Sequence, residues 1–214
     1  MSAAKMMLDG ITDCDVLKRI GSMYVIYFLL LYSVILLSYF ILPDGVLKGW
    51  NPFVNALILS PDLHTAAVQI FIYNIIFLTI LLLDGLLAME LPIFKGYYLP
   101  LSYFVLLVQI INYGIIIGTW SFEMASGTKP GIYVILARPF TGAGLLEFSA
   151  YILMSCVSFS ITKWFSNTKT VVKARPWSDI RLNAVEWAIF ALSFIMLFLG
   201  ALKEAYSIST LISW

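Results

Sequence analysis

Between Met23 and Leu42 there is no charged residue, and 20 consecutive positions of this kind leave few folds open. About 20 apolar residues in a helix cover the roughly 30 Å of a bilayer's hydrocarbon. A chain carrying one such run can be anchored to a membrane, and a chain carrying several is built inside one. The pattern recurs: apolar runs cover residues 23–42, 65–89, 96–119, 144–162 and 184–202. Hydrophobic residues make up 61% of the 214 and charged residues 12%, too few charges to cover a soluble surface. The expected fold is an all-α integral membrane domain spanning the whole chain, a bundle of about five transmembrane helices.

Turn residues separate the spans. Pro43-Asp44-Gly45 closes the first, and the loop that follows holds Trp50, Pro52 and Pro61, with a composition suited to the membrane surface. Glu90, Pro92 and Lys95 lie in a short link that makes the second and third spans antiparallel neighbours. Residues 131–143 fit less simply. The apolar run Gly131 to Ala137 is too short to cross, and Arg138-Pro139 follows it, so the segment reads as re-entrant, interfacial or a sixth span.

Charge gives the orientation. With five spans, nine Lys and Arg residues lie on the side of the N-terminus and four on the other. The positive-inside rule then predicts a cytoplasmic N-terminus and an external C-terminus in the cell membrane. The formal net charge of +1 offers no basic field for nucleic acid. The expected partners are the lipid bilayer and other membrane proteins.

Catalytic signatures are few. Cys14 and Cys156 belong to segments of different depth, which argues against a disulfide, and His64 is the one histidine. No Walker A, GxSxG or HExxH pattern occurs, and neither a metal site nor a cofactor is implied. Membrane enzymes that use only Asp and Glu stay open.

Polar residues within the spans carry what functional signal there is. Glu147, Tyr151, Ser155, Ser158 and Thr162 are spaced four, four, three and four apart. They occupy an arc of about 80° on a helix, a stripe that faces the bundle or a water-filled cavity. Ser and Thr in such a stripe commonly bond neighbouring helices, whereas an acid at that depth is a candidate for function. Glu147 also begins its span, where it can lie at the interface or cap a helix. Asn112 and Arg138 fall at a depth that lets either meet it. Asp84 lies near the other end of its span, suited to Lys95 or the basic loop beyond residue 162. Gly114 and Gly118 share one face of the third span and permit close helix approach.

Three stretches resemble the stage II sporulation protein M family of multi-span membrane proteins. They are Phe71-Ile72-Tyr73-Asn74 with Gly85 downstream, Asn112-Tyr113-Gly114 with Gly118, and Gly144-Leu145-Leu146-Glu147-Phe148-Ser149-Ala150. Ala143 and Ser149 stand where that family carries a histidine and a proline. The resemblance implies a structural centre of Asn74, Asn112, Gly114, Gly118, Gly144 and Glu147. It also implies a membrane scaffold that recruits partners, as in cell-wall remodelling during engulfment, with some relatives similar to permease subunits of ABC transporters.

Three functions follow as alternatives. A non-catalytic scaffold or accessory subunit predicts a dry, packed bundle. A transporter or permease component predicts a wet cavity along the Glu147 stripe. A membrane enzyme predicts a second acid within about 6 Å of Glu147. Sparse intramembrane charge and a stripe made mostly of hydroxyls favour the first.

Overall fold

The computed structural model describes residues 3–49, 60, 62–122, 128–167 and 170–212. Trp50, Pro52 and Pro61, which the sequence places in a surface loop, lie outside the described residues. Seven α-helices appear: α1 (Ala3–Ile11), α2 (Val16–Ile41), α3 (Leu63–Asp84), α4 (Leu101–Gly118), α5 (Ile132–Thr141), α6 (Gly144–Ser160) and α7 (Ala184–Ile212). Four of them, α2, α3, α4 and α7, are long and apolar enough to cross a membrane. The architecture is compatible with a multi-pass membrane protein.

One expectation needs correction. The fold is not all-α: β1 (Leu87–Glu90), β2 (Tyr98–Pro100), β3 (Trp164–Ser166) and β4 (Val171–Ala174) form a sheet in the order β2-β1-β3-β4. β1 pairs antiparallel with β2 and parallel with β3, and β3 pairs antiparallel with β4. The second apolar run is therefore longer than its helix. Its apolar character continues through Met89, but α3 stops at Asp84 with Gly85 as its cap, and the apolar residues beyond pair as a strand. The third span shortens likewise to 101–118, because β2 takes residues 98–100.

The sheet also sets the topology. α3 runs into β1, β2 runs into α4, and α6 leads into β3. These three helix ends share the face of the molecule that carries the sheet. α4 leaves that face, and the chain returns to it through α6. It does so as a bent pair: α5 and α6 meet at 58° around Gly142. Residues 132–141 are thus a helix set at an angle to α6 across a short break. α5 is pinned to α2 by the Tyr32 hydroxyl, which donates to the Leu136 carbonyl at 3.2 Å, and by Phe140 against Phe28 and Tyr32.

The centre of the bundle is α6, which packs against α2, α3, α4, α5 and α7. Every residue from 148 to 158 is buried, three full turns, so no face of this stretch is open. Gly144, Ser149, Ala150, Ser155, Cys156 and Ser158 keep the helix thin enough for neighbours to approach on all sides. α2 in contrast buries a single seam of Val16, Arg19, Met23, Tyr27, Leu31, Ile35 and Ser38, at spacings of three and four. Its register against α4 is set by small residues. A Cβ on Gly114 would run into Val34, and one on Gly118 into Ser38 and the Ile35 carbonyl. At the other end, Asp15 caps α2 by accepting from the Leu17 N–H, which begins the helix seven residues before the apolar run.

Candidate functional site

Away from the sheet, three helices contribute to one polar cluster. Glu147 stands in the first turn of α6, and the Asn74 side-chain amide on α3 donates to its Oε1 at 2.9 Å. The Tyr151 hydroxyl, one turn further along α6, donates to Asn74 Oδ1 at 3.1 Å. Asn74 thereby uses both ends of its amide, one toward each member of the stripe. From α7, Glu204 approaches the Glu147 carboxyl. Gly200 makes room for this, because a Cβ there would stand 3.1 Å from Glu147 Cγ. The residues around it on α3 and α7 are small as well: Ala66, Ala67, Ala201 and Ala205 are buried against one another. The arrangement is a chain of polar groups from buried Tyr151, through Asn74 at the middle of α3, to Glu147, with Glu204 beside it.

The rest of the stripe is consumed internally. Ser158 and Ser102 share a hydrogen bond of 2.7 Å between α6 and α4, and Ser158 also donates to the Ser155 carbonyl. Thr162 donates to the Gly85 carbonyl at 2.9 Å. Gly85 is a close approach, since a Cβ there would strike Ser158. Within the stripe, Ser155 Oγ is buried without a hydrogen-bond partner among the described residues.

Other expected members lie elsewhere. Asn112 does not meet Glu147: its side chain is exposed on the outside of α4 and makes no hydrogen bond among the described residues. Asn74 supplies the amide instead. The Arg138 guanidinium is also absent from this cluster, and lies 5.4 Å from the Phe122 ring centre and 6.0 Å from that of Trp120. Asp84 is half-buried at the end of α3, with no ion pair among the described residues. Gly144 approaches the Tyr113 hydroxyl, so it packs α6 on α4, while Gly114 and Gly118 pack α4 on α2.

A second cluster, missed in the sequence, lies on the sheet side. Arg19 is 1% exposed and pairs with Glu186 Oε1 at 3.3 Å. It also donates to the Asp13 carbonyl at 2.8 Å, the Cys156 carbonyl at 3.1 Å and Ser160 Oγ at 2.7 Å. Ser160 Oγ in turn donates to Glu186. Glu186 and Asn183 cap α7 reciprocally, each side chain accepting from the other's backbone N–H at 2.9 Å. The signal was in the sequence: Asn183-x-x-Glu186 before an apolar run is a helix-start pattern. One arginine thus ties the α1–α2 turn, the end of α6 and the start of α7 together. This is an architectural knot in which both terminal nitrogens of Arg19 are engaged, while its Nε is buried without a hydrogen-bond partner among the described residues.

Among the described residues no three His, Cys, Asp or Glu side chains are placed to hold a metal ion. Cys14 and Cys156 are both free thiols. No family model, curated protein or solved structure matches this chain.

Proposed function

We propose that this chain is a non-catalytic integral membrane scaffold or accessory subunit of a larger membrane complex. The observation that carries this reading is the closure of α6. Its buried stretch is enclosed on every face, and Ser158 and Thr162 bond to α4 and to the α3 cap rather than to an open channel. A bundle organised this way holds its helices in fixed register and presents its outer faces to partners. The resemblance to the stage II sporulation protein M family supports the same role. Eight of the twelve described basic residues belong to the side of the N-terminus and the sheet. We place that side in the cytoplasm on the positive-inside rule.

Affinity purification of the tagged full chain in mild detergent tests the proposal. A partner recovered in fixed stoichiometry, and retained through size-exclusion chromatography, is the expected result. Recovery of the chain without any partner, together with solute flux when it is reconstituted alone, would overturn it.

One observation favours a second reading, that of a transporter or permease component. Glu147, with Glu204 of α7 near it, is linked to Tyr151 through Asn74. This reading predicts flux in proteoliposomes that depends on a proton gradient and is abolished by Glu147→Gln. The scaffold reading predicts no flux in either protein.

A further inference from the structure

Among the described residues of one copy of the chain, nothing bonds the Asn112 side chain. It lies eleven residues beyond Leu101, the start of α4, about 17 Å along a helix of about 27 Å. That depth is well inside the hydrocarbon, and the asparagine side chain is too short to reach either headgroup layer. Gln109, nearly one turn earlier, is half-exposed and likewise makes no hydrogen bond among the described residues. Amides facing hydrocarbon are strongly disfavoured unless something covers them.

The surroundings of Asn112 have a recognisable order. Leu101, Val105, Val108, Asn112 and Ile115 are spaced four, three, four and three apart. This is the a/d repeat of a helix-pairing seam, with Asn112 at an a position. A single asparagine at such a position fixes register and the number of strands. Val108, one turn before it, is 66% exposed. The seam stands as a ridge between two shallow grooves. One, of about 330 Å³, lies against Phe77 of α3, and the other, of about 220 Å³, lies against Val34 and Ile41 of α2.

We infer that this ridge pairs with the same ridge of a second copy, in a parallel two-fold dimer with the Asn112 amides bonded to each other across the axis. Depth selects the second copy. All copies of one chain insert in the same orientation, so an axis along the membrane normal brings residues of equal depth together. An amide carries both donors and an acceptor, and is therefore complementary to itself. A different partner would have to bring its own polar group to that depth. No residue of α4 is charged, so nothing along the seam repels its copy. The inference goes beyond the scaffold reading and does not depend on it.

The test uses the full chain with Cys14→Ser, in phosphatidylcholine and phosphatidylglycerol liposomes at a series of protein-to-lipid ratios. Subunit number is read by single-molecule photobleaching and proximity by oxidative crosslinking. Val108→Cys is expected to crosslink to itself, and Ile195→Cys, exposed on α7, is not. Asn112→Val is expected to weaken the dimer about threefold to twentyfold, the range of interhelical hydrogen bonds in membranes. Asn112→Gln is expected to keep most of the affinity. Because the Asn112 side chain is exposed, unchanged helicity and melting temperature show that Asn112→Val still folds. Monomers at every ratio, crosslinking through Ile195→Cys instead, or an affinity indifferent to Asn112→Val would each overturn the inference. So would a Val108→Cys crosslink formed in native membranes to a different protein only. A missing copurified partner would count against the scaffold reading and leave the dimer standing.

Discussion

Arg19 of α2 and Glu186 of α7, 167 residues apart, meet as an ion pair whose side chains are 1% and 6% exposed. Arg19 also lies 4.8 Å from the centre of the Phe159 ring, which covers it from the α6 side. The pair joins complementary helix ends. Glu186 occupies the first turn of α7, and the arginine bonds the last turns of α6, the places where helix dipoles favour each charge.

Removing one partner of a buried pair is more damaging than replacing both, because it strands a charge. Arg19→Met is expected to cost about 3–5 kcal/mol. Arg19→Met with Glu186→Gln is expected to cost less than Arg19→Met alone, since the amide keeps the cap to Asn183 without a charge. Unfolding in mixed micelles, followed by circular dichroism, measures all three proteins. A double variant less stable than Arg19→Met would show that the pair is not the source of the loss.

Acid sensitivity should arise at the α3 cap. The Thr65 hydroxyl and backbone N–H both donate to the Asp62 carboxylate, at 2.7 and 2.8 Å, and hold its pKa below the ordinary 3.8. The stabilisation is therefore complete above that ordinary value and is lost as pH falls through the lower folded value. Asp62→Asn keeps a capping acceptor that does not titrate there. Melting temperatures taken between about pH 5 and pH 2 should show wild type losing stability relative to Asp62→Asn. Parallel pH profiles for the two proteins would contradict the assignment.

The large features were legible because each is a matter of composition along a run. Four long apolar helices, the antiparallel second and third of the apolar runs, and the inward polar stripe all follow from apolar length and helical periodicity. The sheet was not, because Leu87, Ala88 and Met89 are as apolar as the helix before them, and only Gly85 marks the change of state. Glu204 was missed for a related reason. Lys203 and Glu204 read as the end of the last span, yet α7 continues past both and carries Glu204 towards Glu147. Arg19 counted as one more N-terminal charge, since its partner lies at the far end of the chain. Spacing placed Asn112 at the depth of Glu147, but depth alone does not say which way a side chain faces around the helix.

Asn74 should behave as the hub of the polar chain, because it accepts from Tyr151 and donates to Glu147. Asn74→Leu breaks both bonds and leaves two polar groups without their partner, at an expected cost of about 1–3 kcal/mol. Tyr151→Phe breaks one bond and should cost less. In a double-mutant cycle the two effects should fall short of additive by about 0.6 kcal/mol, the average for such bonds in membranes. Strict additivity would mean that the 3.1 Å contact adds no measurable coupling.

Two glycines offer a matched comparison of close packing with open space. Any side chain on Gly118 meets backbone as well as side chain, with the Ile35 carbonyl 2.6 Å from the Cβ position and Ser38 nearer still. Ser38 is itself held, donating to the Val34 carbonyl at 2.7 Å, and cannot swing away without giving up that bond. Gly118→Val must therefore push α4 off α2, at an expected cost of about 1–3 kcal/mol. Gly21, in α2, has nothing within 4 Å of its Cβ position. Gly21→Ala adds no clash and reduces the freedom of the unfolded chain, so it should stabilise by about 0.4–1 kcal/mol. Measured side by side in one detergent, the two variants should move the unfolding midpoint in opposite directions. A shift of the same sign in both would mean that the α2–α4 contact at Gly118 does not set the register of the bundle.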